Sequence, residues 1–307
     1  WKPAQQEEFL DFCTGMKGVK VLYDSFFKEV MSPEYTPARL NRFLSLLIGK
    51  EVTIRQVIPN DGSRIADENT LLITDIVVED GSLANVEIQK IGYSFPGERS
   101  ACYSADLLLR QYKRVRDEKN RAKQKFSYKD IKNVYIIVLF EKSAREFHAV
   151  PENYLHKSYW GFDTGLEVGL LQNFIFITLD IFRKNMQNKR IDKELDAWFM
   201  FFSSEDPERI IELIDKYPMF RELYDDIYGI CRNMEKVMGM FSKELRELDR
   251  NTVQYMIDEM QETIDAQAAA LEEERKRREE ERKELEEERM KYAQALKRIK
   301  ELESKLK

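Results

Sequence analysis

Cysteine and histidine are scarce in this sequence, with three Cys and two His among 307 residues. Cys13, Cys102 and Cys231 lie far apart and form neither a C-x-x-C pair nor an even set. Neither a disulfide framework nor a cysteine-based metal motif is expected, and a reducing, cytoplasmic setting is the default. His148 and His156 stand in an aromatic, loop-like stretch with no cysteine close by, which is too little for a zinc site. No run of about 18 uncharged apolar residues occurs, which argues against a membrane-spanning helix. Trp1 to Leu10 lacks the basic-then-apolar layout of a secretory signal. G-x-G-x-x-G, P-loop and G-x-S-x-G patterns are all missing, which removes the commonest dinucleotide, nucleotide and serine-hydrolase readings.

What is present is a body able to fold and a charged end. Hydrophobic residues make up 43% and aromatics 11%, enough for a core. Charged residues reach 35%, above the usual quarter or so, and the excess gathers at the C-terminal end. The net charge of −6 does not favour nucleic acid as a bulk partner, but the average hides a stripe. Between Arg110 and Lys132 stand ten Lys/Arg against Asp117, Glu118 and Asp130, so the segment is +7 and the remainder −13. On charge alone, both a solvated helix face with a basic loop and a phosphate-contacting surface fit that stripe.

Hydrophobic spacing orders the chain as an α/β protein with a mixed sheet. Residues 9–30 read as one helix, Ser32 to Pro37 as a break, and Ala38 to Ile48 as a second helix stopped by Gly49. Val52 to Ile58 is β-like, and Asn60 to Ser63 is a turn. Leu71 to Val78 and Ala84 to Ile91 read as a hairpin around Asp80-Gly81. Ser100 to Glu118 is the next helix. Val134 to Phe140 is a continuous apolar run of the kind buried on both faces, and Phe174 to Leu179 is a further strand. From Ile191 to residue 264 the period is helical, with breaks at Pro207 and Pro218. Residues 272–284 contain no apolar side chain, and Glu272–Lys276, Glu273–Arg277, Glu274–Arg278 and Glu279–Lys283 are acid-then-base pairs that support a solvated helix. Leu285, Tyr292, Ile299 and Leu306 fall at heptad spacing, so a lone charged helix and a short self-associating coiled coil both stay open for the tail.

The hairpin holds the residues that can do chemistry. Strand alternation sends Glu87 and Gln89 to one face and Val86, Ile88 and Lys90 to the other. Facing residues of an antiparallel pair lie about 4.5–5.5 Å apart. The hairpin can therefore bring Asp75 and Glu87 close enough to share one divalent cation, with a backbone carbonyl and waters completing an oxygen shell suited to Mg²⁺ or Mn²⁺. The opposing reading makes Glu87 and Gln89 ordinary decoration on a water-facing sheet. Against it stand Asp75, a poor strand former flanked by apolar residues, and the wholly apolar strand that follows.

Asp75 with Glu87-Ile88-Gln89 on adjacent strands, followed by a helix and an apolar strand, resembles the PD-(D/E)XK nuclease superfamily. More narrowly, the chain resembles the PD-(D/E)XK nuclease family transposases, the recombination-promoting nucleases. Asp24-Ser25-Phe26-Phe27-Lys28 is similar to that family's D-x-x-F-K stretch, and Leu40 to Ile48 to its second helix. Gly97-Glu98-Arg99 with Cys102-Tyr103-Ser104 is similar to its R-x-x-x-Y helix start. The resemblance spans roughly residues 20–200. The superfamily's usual last lysine is here Gln89, which orients water but supplies no charge; the narrower family commonly carries this Gln.

The resemblance implies a restriction-endonuclease-like core, a central mixed sheet flanked by helices, over 1–190, then a helical extension over 191–264 and a charged helix or coiled coil over 265–307. It implies a Mg²⁺-dependent DNA endonuclease, with Mn²⁺ as the other candidate ion. Asp75, Glu87 and the carbonyl of Ile88 would be metal ligands, and Asp75, Glu87 and Gln89 catalytic. Arg99, Tyr103, Arg110, Lys113 and Arg114 would be DNA contacts. A rival class stays open: a weakly active or inactive nuclease-fold protein that binds nucleic acid or assembles through its C-terminal helix. RNA as substrate is a third.

Overall fold

Seven consecutive apolar residues, Val134–Phe140, form a strand buried at every position, and the other elements are arranged around it. The computed structural model of the chain describes residues 7, 10–11, 16–18, 21–22, 24–58, 71–78, 80–90, 96–231, 269–270, 272–279 and 282. Two compact units are distinguished, Trp1–Tyr255 and Met256–Lys307.

In the first unit the described elements run α1 (Asp24–Val30), α2 (Pro37–Ile48), β1 (Ile54–Ile58), β2 (Leu71–Val78), β3 (Leu83–Gln89), α3 (Pro96–Arg121), β4 (Val134–Phe140), β5 (Leu155–Lys157) and β6 (Gln172–Thr178). Helices α4 (Leu179–Met186), α5 (Glu194–Ser203), α6 (Pro207–Lys216) and α7 (Met219–Cys231) follow. The six strands lie in the order β1-β2-β3-β4-β6-β5. β1, β2 and β3 pair antiparallel, β3, β4 and β6 pair parallel, and β5 adds antiparallel to β6. This is the mixed, helix-flanked sheet expected of a restriction-endonuclease-like core.

The sheet has a core on each face. Alternation along β4 sends Val134, Ile136, Val138 and Phe140 to a cluster with Leu107 of α3, and Tyr135, Ile137 and Leu139 to a larger cluster beneath α1, α2 and α5. On α2, Leu40, Phe43, Leu44 and Leu47 form the buried stripe, and Gly49 ends the helix in the left-handed conformation at φ 83°. In α5 the run from 197 to 202 is unbroken apolar sequence, so every side of the helix is buried there. Its Trp198 packs 5.8 Å from Phe43 and 5.0 Å from Phe220 of α7. The helices after residue 190 thus fold into the same core as α1 and α2. Full burial of each such side chain contributes about 1.5–3 kcal/mol.

The single helix expected over 9–30 is not what forms. Residues 16–17 bend, 21–22 turn, and α1 starts only at Asp24. Gly18 explains the break: its N–H donates to the Glu205 carbonyl at 2.7 Å, and a Cβ there would meet Ile210 Cδ1 at 2.6 Å. A long-range backbone contact overrides the local period. The edge strand β5 and the Arg145–Ala149 3-10 turn carry no periodic signal, and neither was expected. The Asn60–Ser63 turn and the heptad positions 285–306 lie outside the described residues. In the second unit, residues 272–279 are helical, and Glu274 and Arg278 pair at 2.6 Å.

Candidate functional site

β3 is the third of the six strands, and all seven of its residues are buried. Ala84, Val86 and Ile88 enter the larger core, while Leu83 joins the core under α3. Alternation therefore puts Asn85, Glu87 and Gln89 on the α3 face. Glu87 is 0% exposed and Gln89 6%, so the water-facing reading of this stripe does not hold. β3 is flanked by β2 and β4, so this stripe lies inside the sheet and not on an edge strand.

Burial sets the chemistry of Glu87. Loss of solvent pushes its carboxyl up to about 7, opposed by the Gln89 hydrogen bond and by the positive charge of Arg99. The Gln89 Nε2 donates to Glu87 Oε1 at 2.9 Å. Among the described residues Glu87 Oε2 and Gln89 Oε1 are buried with no hydrogen-bond partner. Buried oxygens without a partner are costly, and two of them side by side form an acceptor-only site. Hard oxygen acceptors suit a divalent cation such as Mg²⁺ or Mn²⁺, so the donor set present fits the ion implied by the resemblance.

The ladder places Asp75 by register. It pairs with Asn85 on one side and Ile58 on the other, while a register shift between Leu72 and Thr74 puts Leu72 opposite Glu87. The residue facing Asp75 is thus Asn85, and Glu87 is the diagonal neighbour, at roughly 7–8 Å. Asn85 was missed in the sequence, although the period-two run Asn85-x-Glu87-x-Gln89 in an apolar strand is the signal that finds it. Ile88 buries its side chain in the opposite core, so only its backbone carbonyl is a candidate ligand. Lys90 is buried and paired with Glu141 at 3.3 Å.

Of the expected DNA contacts, two are brought beside the pair. Arg99 lies in the first turn of α3, where its Nη2 donates to the Tyr103 hydroxyl at 3.1 Å, and its charge reaches Glu87. The others follow α3 away, since a rise of 1.5 Å per residue carries Lys113 about 21 Å from Arg99. Arg110 pairs with Asp106 at 3.1 Å. Lys113 is exposed. Arg114 is 4.0 Å from Glu118, and its guanidinium is pushed down by burial, against Glu118 and with help from Arg55.

A second polar cluster stands at the C-terminal end of the parallel strands. Ser143 Oγ lies 3.2 Å from His148 Nε2 and donates to Asp180 Oδ2 at 3.0 Å. These residues come from three separate segments, and no spacing in the sequence announces them.

A family model described as PD-(D/E)XK nuclease family transposase matches residues 21–259. No curated protein and no solved structure matches the chain.

Proposed function

The chain belongs to the PD-(D/E)XK nuclease family transposases, and on that footing we propose that it is a metal-dependent endonuclease that hydrolyses phosphodiester bonds of DNA at the Asp75–Glu87–Gln89 stripe. The observation that carries the reading is the buried Glu87–Gln89 pair, with its two unpartnered oxygens at the end of the central strand. Asp75, Glu87 and the carbonyl of Ile88 would hold Mg²⁺ or Mn²⁺, which when bound lowers the pKa of a water ligand and neutralises charge on the scissile phosphate.

The remaining work falls to this chain's own groups. Gln89 holds Glu87 by one carboxylate oxygen and so leaves the other free to bind. The Gln89 Oε1 accepts a hydrogen bond from the attacking water and orients it. Gln89 adds no positive charge, so the stabilising cation near the pair is Arg99, whose field already favours ionised Glu87. Arg99, fixed by Tyr103, meets a phosphate approaching from the helix start; Arg110, Lys113 and Arg114 extend the contact along α3.

The test is cleavage of supercoiled DNA by the full chain with Mg²⁺, with Mn²⁺ and with chelator, beside Asp75→Ala. Nicked or linear product that needs the metal and is lost in Asp75→Ala supports the reading. No cleavage under any metal condition sinks it in favour of a binding or assembly role. A matched RNA cut in place of DNA reassigns the substrate.

A further inference from the structure

The far end of α3 carries an aromatic cluster that the proposed cleavage site does not use. After Arg121 the chain reverses, with Lys123 in the left-handed region at φ 53°. A capping box at Ser127 then fixes the short turn Tyr128–Asp130. The reversal lays Phe126 and Tyr128 back on Tyr112 of α3. The Tyr112 and Tyr128 rings are near-parallel, 6.2 Å apart at 17°. Phe126 stands edge-on to both, at 5.4 and 5.5 Å. Arg116 Nη1 donates to the Tyr112 hydroxyl at 3.0 Å, which sets a cation at the rim.

Pinning the loop accounts for Phe126, which is half-buried, but not for Tyr128, which is 77% exposed. A ring that open contributes little burial energy, yet its outer π-face is free. On the same stretch of α3 and the loop after it, Lys113, Lys123, Lys125 and Lys129 are exposed, within a segment that is +7 on a chain that is otherwise −13. An open aromatic face on a strongly basic segment has the two features that unpaired nucleic acid requires, a stacking surface for a base and charge for the backbone. Duplex DNA offers no base face to it.

We propose that the Tyr112–Phe126–Tyr128 cluster and the lysines of its segment form a binding platform for unpaired nucleic acid, with a base stacked on Tyr128 and phosphates on those cations. The platform lies beyond the cleavage site along α3 and does not rest on the hydrolytic reading. Single-stranded DNA and RNA share the recognised chemistry.

The experiment is fluorescence anisotropy with the full chain in chelator, so that cutting plays no part and an inactive nuclease leaves the result untouched. The probes are a labelled oligothymidylate, an oligouridylate, a chain of abasic sites of the same length, a duplex and an acidic peptide. The expected result is tight, salt-sensitive binding of one or both single strands over the abasic chain and the duplex; the tighter of the two names the sugar. Tyr128→Ala should weaken that binding roughly five- to 150-fold and Tyr128→Phe should leave it unchanged, both with the parent's melting temperature. Equal binding of the abasic chain, parent-like binding by Tyr128→Ala, or equal binding of an acidic peptide overturns the proposal.

Discussion

Glu87 folds into a place that opposes its charge. Its carboxyl titrates at about 7 in the folded chain against an ordinary value of 4.5, with burial as the leading cause. Below 4.5 the group is protonated whether or not the chain is folded, and it costs nothing. As the pH rises toward 7 the unfolded chain gives up the proton first, so stability falls; above 7 the loss is complete, at about 3 kcal/mol. In metal-free protein, Glu87→Gln should therefore raise the melting temperature at pH above 7 and leave it nearly unchanged below 4.5, as a pH series of thermal melts will read. Mg²⁺ or Mn²⁺ favours the ionised carboxylate and should stabilise the parent more on the alkaline side; equal stabilisation of Glu87→Gln would remove Glu87 from the ligand set. Gln89→Ala removes the hydrogen bond to Glu87 Oε1 and the oxygen that orients the water but leaves Glu87 Oε2 in place, so cleavage should fall with little loss of metal affinity. Loss of one oriented hydrogen bond in a catalytic site amounts to about 10²–10³ in rate. Gln89→Lys should keep activity, because an ammonium at that position can serve Glu87 and the phosphate alike. Calorimetric metal binding and single-turnover cleavage separate the two variants.

At the scale of elements, Gln111 ties α3 to the hairpin. Its Oε1 accepts the Lys132 N–H at 2.8 Å, and its Nε2 reaches the Gly81 carbonyl at 3.4 Å, at the turn between β2 and β3. Gln111→Ala strands a partly buried N–H, so it should cost about 1–3 kcal/mol in urea unfolding, without changing what Glu87 touches. The hairpin itself was legible because Asp80-Gly81 marks the turn and both flanking runs are strand-like; β2 and β4 form over the expected residues. The face shared by Glu87 and Gln89 was legible for the same reason, since a period of two leaves no freedom once β3 exists. The partner of Glu87 was not, because a one-residue shift between Leu72 and Thr74 decides it, and apolar residues beside that shift look alike. α3 starts four residues before the expected Ser100, at Pro96, since proline is at home in a first helical turn. The helix over 9–30 failed at Gly18, where the decisive contact comes from Glu205, far along the chain. Ser143, His148 and Asp180 meet only because parallel strands end level with one another, which no local pattern encodes.

On the scale of the whole molecule, charge is divided rather than balanced. A +7 segment lies within a chain of net −6, so bulk charge repels nucleic acid and one stripe attracts it. Binding should fall steeply with salt if that stripe makes the phosphate contacts. Residues 272–284 hold no apolar side chain, and Trp1–Tyr255 is a compact unit by itself, so deleting 271–307 should leave the core of that unit intact. The truncated chain should keep one cooperative melt within a few degrees of the parent, and loss of the transition would show that the tail is part of the folded body. The family match covers residues 21–259, which includes every residue proposed for the cleavage site. The claim that joins these scales is that the buried Glu87–Gln89 pair is a metal-dependent hydrolytic centre. The most direct test is the initial rate of supercoiled DNA cleavage at saturating Mn²⁺, parent beside Glu87→Gln, with both shown to be folded by their melts. The account predicts metal-dependent cutting by the parent and background cutting by the variant; equal rates from the two would contradict it.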